Sequence, residues 1–181
     1  MKKIFQNFKS GKLEILEVPV PEINENEILI KTNFTLISPG TEKMLIDLSK
    51  SSLLSKAMKQ PDRVKQVISK MQTDGIIPTL ETIKIKLDSL LPMGYCNCGE
   101  VVRIGKGVTG FKIGERVISN GPHAEFVAVS KNLCSKIPDN VSDESAVYTV
   151  MGAIAMQGIR LVKPSFGESV VVIGLGLIGI L

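Results

Sequence analysis

The sequence predicts a mainly β chain with helices. It reads as a small β-barrel carrying a helical insertion, followed by the first strand and glycine turn of an α/β domain. Three observations lead there. Short runs of branched apolar residues bounded by turn formers appear on either side of a central region. That region, from about residue 42 to residue 91, repeats its apolar residues at spacings of three and four. The C-terminal segment, Val170 to Leu181, is a continuous apolar run punctuated by Gly174, Gly176 and Gly179. The expected division is residues 1–141 for the barrel and 142–181 for connecting helices and the start of the α/β domain.

Each element follows from its residues. Leu13-Glu14-Ile15-Leu16-Glu17-Val18 partly alternates and stops at Pro19 and Pro21, and Glu27 to Phe34 is a second strand candidate. In the insertion, Val64, Val67, Ile68 and Met71 form one helical stripe, and Leu80, Ile83, Leu87 and Leu90 form another. Pro61-Asp62 suits a helix start, Asp74-Gly75 a stop, and Pro78-Thr79 the next start. Strand character returns at Glu100–Ile104, Arg116–Ser119 and Ala124–Val129, with Gly105, Gly107, Gly110, Gly114 and Gly121 at the corners of a small barrel. Ser142, with Ser145 three residues on and acids between, is an N-cap for a helix running towards Gly152. A second helix, Ala153 to Val162, ends before Pro164. Ser169 to Ile173 reads as a strand buried on both faces. One such strand needs neighbouring strands and helices, so the chain is expected to be a fragment of something longer or to need a partner over this end.

Composition narrows the function. The 181 residues are 44% hydrophobic and 22% charged, which excludes disordered and fibrous classes. The net charge of +4 is modest and the lysines and arginines form no cluster, so nucleic acid is not expected as a partner. Aromatic residues make up 4% and Trp is absent, which argues against a base-stacking platform. The start turns polar before any apolar run forms, and the terminal apolar run is shorter than the roughly 20 residues a bilayer needs. Neither a secretory leader nor a membrane span is therefore expected. Cys96, Cys98 and Cys134, an odd set, point to free thiols and a cytoplasmic protein. Cys96 and Cys98 would share one face of a strand, where small apolar packing explains them better than metal capture.

Gly174-Leu175-Gly176-Leu177-Ile178-Gly179 fits G-x-G-x-x-G directly after the apolar run. Gly174 permits the tight turn, Gly176 lets the backbone approach a pyrophosphate, and Gly179 lets the helix pack closely. The acid that would select between NAD and NADP lies about 20 residues further on, beyond Leu181.

The order of motifs resembles the medium-chain dehydrogenase/reductase family. Its run VGxGVxxFKxGDRV appears here as IGKGVTGFKIGERV, from Ile104 to Val117, followed by Ala124-Glu125, by Lys136-Ile137-Pro138-Asp139 and by the final glycine turn. LISPGTE at Leu36–Glu42, QPDRVKQVISKMQTDGIIPTLE and SNGPHAEFVAV are similar to the N-terminal part of bacterial two-domain oxidoreductases associated with sugar or surface-polysaccharide metabolism. The resemblance spans nearly the whole chain. It implies a GroES-like barrel followed by the opening strand and turn of a Rossmann domain, an NAD or NADP cofactor, and a small-molecule alcohol, carbonyl or sugar-linked substrate.

The family's zinc ligands do not carry over. Pro39 stands at the cysteine of its G-x-C-x-[ST]-D segment, Tyr95 at the histidine of its G-H-E segment, and Val150 near the third ligand. Proline and valine offer no donor and a neutral phenol is a poor one, so zinc is not expected. Thr41 falls where the family places a proton-passing hydroxyl. Tyr95 is a candidate acid towards a carbonyl oxygen, and His123, the only histidine, a candidate acid/base in the cleft. The leading reading is thus part of a zinc-independent oxidoreductase, inactive as this piece alone. The alternative is a non-catalytic scaffold left by a truncated dehydrogenase. Self-association is expected through the C-terminal apolar segment.

Overall fold

The structure is a computed structural model and describes residues 1–7, 10–50, 69, 73, 75 and 89–181. Eight strands are present among them. β1 (Lys2–Asn7), β2 (Leu13–Glu17) and β4 (Leu90–Pro92) form a three-stranded sheet in the order β2-β1-β4. β3 (Glu27–Thr35), β5 (Asn97–Ile104), β6 (Arg116–Ser119), β7 (Phe126–Ser130) and β8 (Cys134–Lys136) form a five-stranded sheet in the order β7-β3-β5-β6-β8. Every pairing is antiparallel. The expected barrel is therefore two sheets and not a closed ring of ladders. They meet through the Lys3–Ala124 bridge, the amide of Ile4 on the carbonyl of His123 and the amide of Glu125 on the carbonyl of Lys2.

Alternation builds the core. In β7 the residues Val127 and Val129 point inward, and in β6 Val117 does. Ile28 and Ile30 of β3 and Val101 of β5 join them in one cluster, and four of these six have no exposed surface. A register shift between Leu29 and Ile30 lets β3 bury three consecutive apolar residues, Ile28 to Ile30.

The insertion opens with α1 (Pro39–Lys50), which begins three residues before the expected start because Pro39 takes the first helical position. Its far end is tied to β1 by Gln6, whose Nε2 donates to Ser49 Oγ. The chain rejoins the same place at β4, where Leu90 pairs with Asn7. The stripe from Val64 to Met71, and Leu80, Ile83 and Leu87 of the second, lie outside the described residues; Leu90, expected on that second helical stripe, instead opens a strand because its backbone finds a ladder on β1. Within the insertion, Ser69 and Thr73 are helical, and the Thr73 hydroxyl donates to the Ser69 carbonyl at 3.3 Å.

After the sheets, α2 (Asp143–Ala146) is capped by Ser142, whose hydroxyl accepts from the Ser145 amide, as the sequence predicts. α3 (Thr149–Val162) follows. The break between them falls at Val147-Tyr148 and not at Gly152, which continues inside α3. The Tyr148 amide donates to the Ser145 carbonyl three residues back at 3.3 Å, and the Gly152 amide then donates to the Tyr148 carbonyl, so the new helix starts upstream of the glycine. Lys163 closes α3 with φ of 51° before Pro164.

Ser169 to Ile173 does not form the expected strand. None of the described residues offers it a ladder, and Val171 and Ile173 stand in solvent. An extended run becomes a strand only when its N–H and C=O groups find a partner strand. α4 (Leu177–Ile180) ends the chain.

Candidate functional site

Three segments converge at the end of the sheets. The first is the opening turn of α1. Ser38 precedes it, and the Glu42 side chain turns back so that Oε1 accepts the Ser38 amide at 2.8 Å. This satisfies one of the donors that a helix start leaves free. It also places Thr41 on the outer side of the turn, exposed.

The second segment is Met93-Gly94-Tyr95-Cys96, between β4 and β5. Gly94 has φ of 87°, and a Cβ there would lie 2.6 Å from the His123 ring. Only glycine permits both the backbone turn and the ring lying against it. Tyr95 comes next and is half-buried. Its hydroxyl donates to Thr41 Oγ1 at 3.2 Å and lies 3.4 Å from Met151 Sδ.

The third is the turn before β7. His123 is held by its own backbone, its amide bonding the Met93 carbonyl at 2.7 Å and its carbonyl accepting from Ile4 at 3.0 Å. Its Nε2 is 3.0 Å from Glu42 Oε2, and both side chains are at least nine-tenths buried. With Glu42 as the carboxylate, which can only accept, the bond is that of the tautomer protonated on Nε2.

α3 supplies Met151, and a charge pair further along the sheet holds α2, the helix just before it. Asp143 in α2 accepts from Asn33 Nδ2 at 2.8 Å and pairs with Arg116 at 2.7 Å. Burial works to raise the Asp143 pKa, but the Asn33 and Arg116 hydrogen bonds and the guanidinium charge together hold it below the usual carboxylate value. The Cys98 thiol donates to the Asp143 carbonyl. Burial first, and then the charge of Glu42, push the Cys96 thiol up to about 11. Cys98 is raised to about 11 by burial and by Asp143, and Cys134 to about 11 by burial. Cys96 and Cys98 are fully buried, as small apolar packing predicts.

The three residues singled out in the sequence thus fall in one neighbourhood, but in two layers. Thr41 and Tyr95 are accessible and bonded to each other. His123 lies behind them, bonded to Glu42. Glu42 and Met151 were missed. Glu42 stands four residues after Ser38, one off the spacing of a capping box, which was the only signal for it. Val150 lines a shallow apolar cleft of about 430 Å³ with Ile118, Leu133 and Ile154, while its neighbour Met151 meets Tyr95.

At the far end, Gly174 has φ of 95°, and a Cβ on Gly179 would lie 2.0 Å from the Gly174 carbonyl oxygen. The turn therefore needs glycine at both positions. Gly176 faces open space and precedes α4, which holds Leu177 and Ile178, while Leu175 lies exposed in the turn.

No family model matches the chain. Among curated proteins it is similar to (R,R)-butanediol dehydrogenase of Bacillus subtilis, 29% identical over 116 residues, covering 49% of this chain and 34% of that enzyme. It is also similar to D-guloside 3-dehydrogenase of Escherichia coli, 34% identical over 90 residues, covering 48% of this chain and 26% of the enzyme. Among solved structures, an alcohol dehydrogenase of Escherichia coli CFT073 complexed with NADH superposes with a TM-score of 0.69 at 19% identity, over 99% of this chain and 50% of that one. The chain spans a quarter to a half of the length of these proteins. These relatives and structural neighbours are medium-chain dehydrogenases/reductases, and the fold of this chain is similar to theirs. Among the described residues no helix is long and apolar enough to cross a membrane.

Proposed function

We propose that this chain is the substrate-side part of an NAD- or NADP-dependent oxidoreductase that works without zinc on an alcohol, carbonyl or sugar-linked substrate. The observation that carries this reading is the 3.2 Å hydrogen bond between the Tyr95 and Thr41 hydroxyls. They sit at the positions where the resembled family keeps a metal ligand and a proton-passing hydroxyl.

The residues present fit the pyrophosphate portion of a dinucleotide, the only part of that site this chain carries. The turn from Gly174 to Gly179 has the positive φ and the close packing that a pyrophosphate-binding turn needs. Its backbone amides would hold phosphate, and a bound nicotinamide supplies or accepts the hydride. Residues 1–141 would carry the substrate and residues 142–181 would begin the cofactor domain.

The donor set does not fit zinc. Pro39 and Val150 have no donor atom, and Tyr95 engages Thr41 instead. Glu42 and His123 engage each other. Among the described residues, no three His, Cys, Asp or Glu side chains come together as a metal site requires.

The proton chemistry then falls to the two hydroxyls. A substrate carbonyl oxygen seated beside Thr41 accepts a hydrogen bond from its hydroxyl, while Thr41 accepts from Tyr95. As negative charge develops on the substrate oxygen, the Thr41 proton passes to it and the Tyr95 proton refills Thr41, leaving a phenolate that takes a proton back from solvent at its accessible side. The reverse order serves alcohol oxidation. Met151 and the half-buried ring keep water from one side of the pair.

In a longer protein that contains this chain, Tyr95→Phe is expected to lower kcat for carbonyl reduction about 100-fold, in line with the loss of one acid/base group. Metal analysis after chelator washing should return well under one zinc per chain. One zinc per chain, or full activity in Tyr95→Phe, would refute the reading. Absence of NAD(P)-dependent turnover on any alcohol or carbonyl would favour a scaffold role.

A further inference from the structure

Resting on that reading of Tyr95 and Thr41, we infer that the buried Glu42–His123 pair is a positioning device that sets the distance between the two hydroxyls from both sides. The argument begins with the imidazole. Its backbone is fixed by hydrogen bonds to Met93 and Ile4, so the ring is anchored where the two sheets meet. One face of that ring lies against Gly94, so close that a Cβ would clash at 2.6 Å. Gly94 is bonded directly to Tyr95, and the ring therefore sets the course of the backbone that delivers the phenol. The Nε2 edge of the same ring meets Glu42 at 3.0 Å. Glu42 is bonded directly to Thr41, and its other oxygen takes the Ser38 amide at 2.8 Å. One carboxylate thus fixes the first turn of α1 to the ring that also backs Tyr95.

Chemistry makes the arrangement selective for these residue types. The carboxylate must accept twice, once on each oxygen, which glutamate does and a neutral amide does not. The imidazole must donate from Nε2 while presenting a flat face to Gly94. Both groups are buried, so losing either leaves its partner without its bond in a place water reaches poorly. The pair touches neither substrate nor cofactor in this scheme and acts through Thr41 and Tyr95.

The test uses the chain itself and reads Tyr95 directly. Tyr95 and Tyr148 are the only tyrosines, so ring-labelled tyrosine gives two sets of NMR signals, and Tyr148→Phe assigns them. Glu42→Ala, His123→Ala and Gly94→Ala are each expected to move the Tyr95 ring signals by more than their linewidth. Val117→Ala, a core change away from the site, should leave them in place. Glu42→Gln keeps the volume and one acceptor, so a smaller shift than in Glu42→Ala is expected. If Glu42→Ala does not fold, Glu42→Gln decides.

Unmoved Tyr95 signals in a folded Glu42 or His123 variant would overturn the inference. So would a shift as large in Val117→Ala, since the effect would then report general loosening. The readout needs no turnover. With turnover read in a longer protein that contains this chain, loss of dehydrogenase activity beside coupled Tyr95 signals refutes the functional reading alone, and activity beside uncoupled signals refutes the positioning role alone.

Discussion

Ile30 and Ile173 are the same residue in two very different situations. Ile30 has no exposed surface, whereas Ile173 is 96% exposed. Both sit in runs of branched apolar residues, Ile28-Leu29-Ile30 and Val170 to Ile173. β3 finds β5 on one side and β7 on the other, while Val170 to Ile173 finds neither. A run of β-branched residues marks a capacity to be a strand. Whether it becomes one depends on a neighbour's backbone and on something to lie over its side chains.

The largest effect that would break this comparison is on stability. Ile30→Ala should destabilise the chain by about 2–5 kcal/mol in urea titration, as expected when a fully buried side chain is truncated. Ile173→Ala should change it by less than about 0.5 kcal/mol. Equal effects would mean that the terminal run is packed in solution.

A second contrast is chemical. With thiol pKa values of about 11, Cys96, Cys98 and Cys134 should react with a disulfide reagent at pH 8 roughly 100-fold more slowly in the native chain than in urea. Rapid reaction of one thiol in the folded chain would identify an opening of the site or of β8.

The smallest effect concerns acid. Asp143 has a folded pKa held below its unfolded value, so its contribution to stability is complete above the unfolded value and is lost as pH falls through the folded one. Native chain should lose stability as pH falls below the ordinary carboxylate range, and Asp143→Asn should flatten that part of the profile while lowering stability at pH 7. An unchanged acid limb would mean that α2 is held by packing of Ala146 and Val147 rather than by the Arg116–Asp143 pair.

Local features of this structure were legible in the sequence where their cause is local. Ser142 could be read as a cap because the group it bonds is three residues away. The inward set of β6 and β7 follows from period-two alternation. The break at Val147-Tyr148 was not legible, because it depends on which carbonyl an amide finds and not on where a glycine stands. The two sheets also escaped the reading, since glycine corners mark turns without saying which edges pair. In the site, Thr41 and Tyr95 were named through family resemblance, but their contact spans 54 residues of chain. The Glu42–His123 bond spans 81. No local periodicity encodes such a meeting, and it appears only once the β1–β4 ladder has brought Met93 beneath His123.

The Ser49 hydroxyl and the Leu90 backbone attach to adjacent residues of β1, Gln6 and Asn7. The chain therefore leaves β1 and rejoins it at nearly one point. Holding two such points together has an entropic cost that rises only with the logarithm of the number of residues between them, about 0.6 kcal/mol for each doubling. Kinetics are less forgiving. β3 must still find β7, with Glu27 opposite Ser130, before the core can close, and every residue added to the loop lengthens that search. Trimming residues 51–89 should thus speed folding far more than it stabilises the product, and a lengthened version should fold slowly to a native state of nearly the same stability.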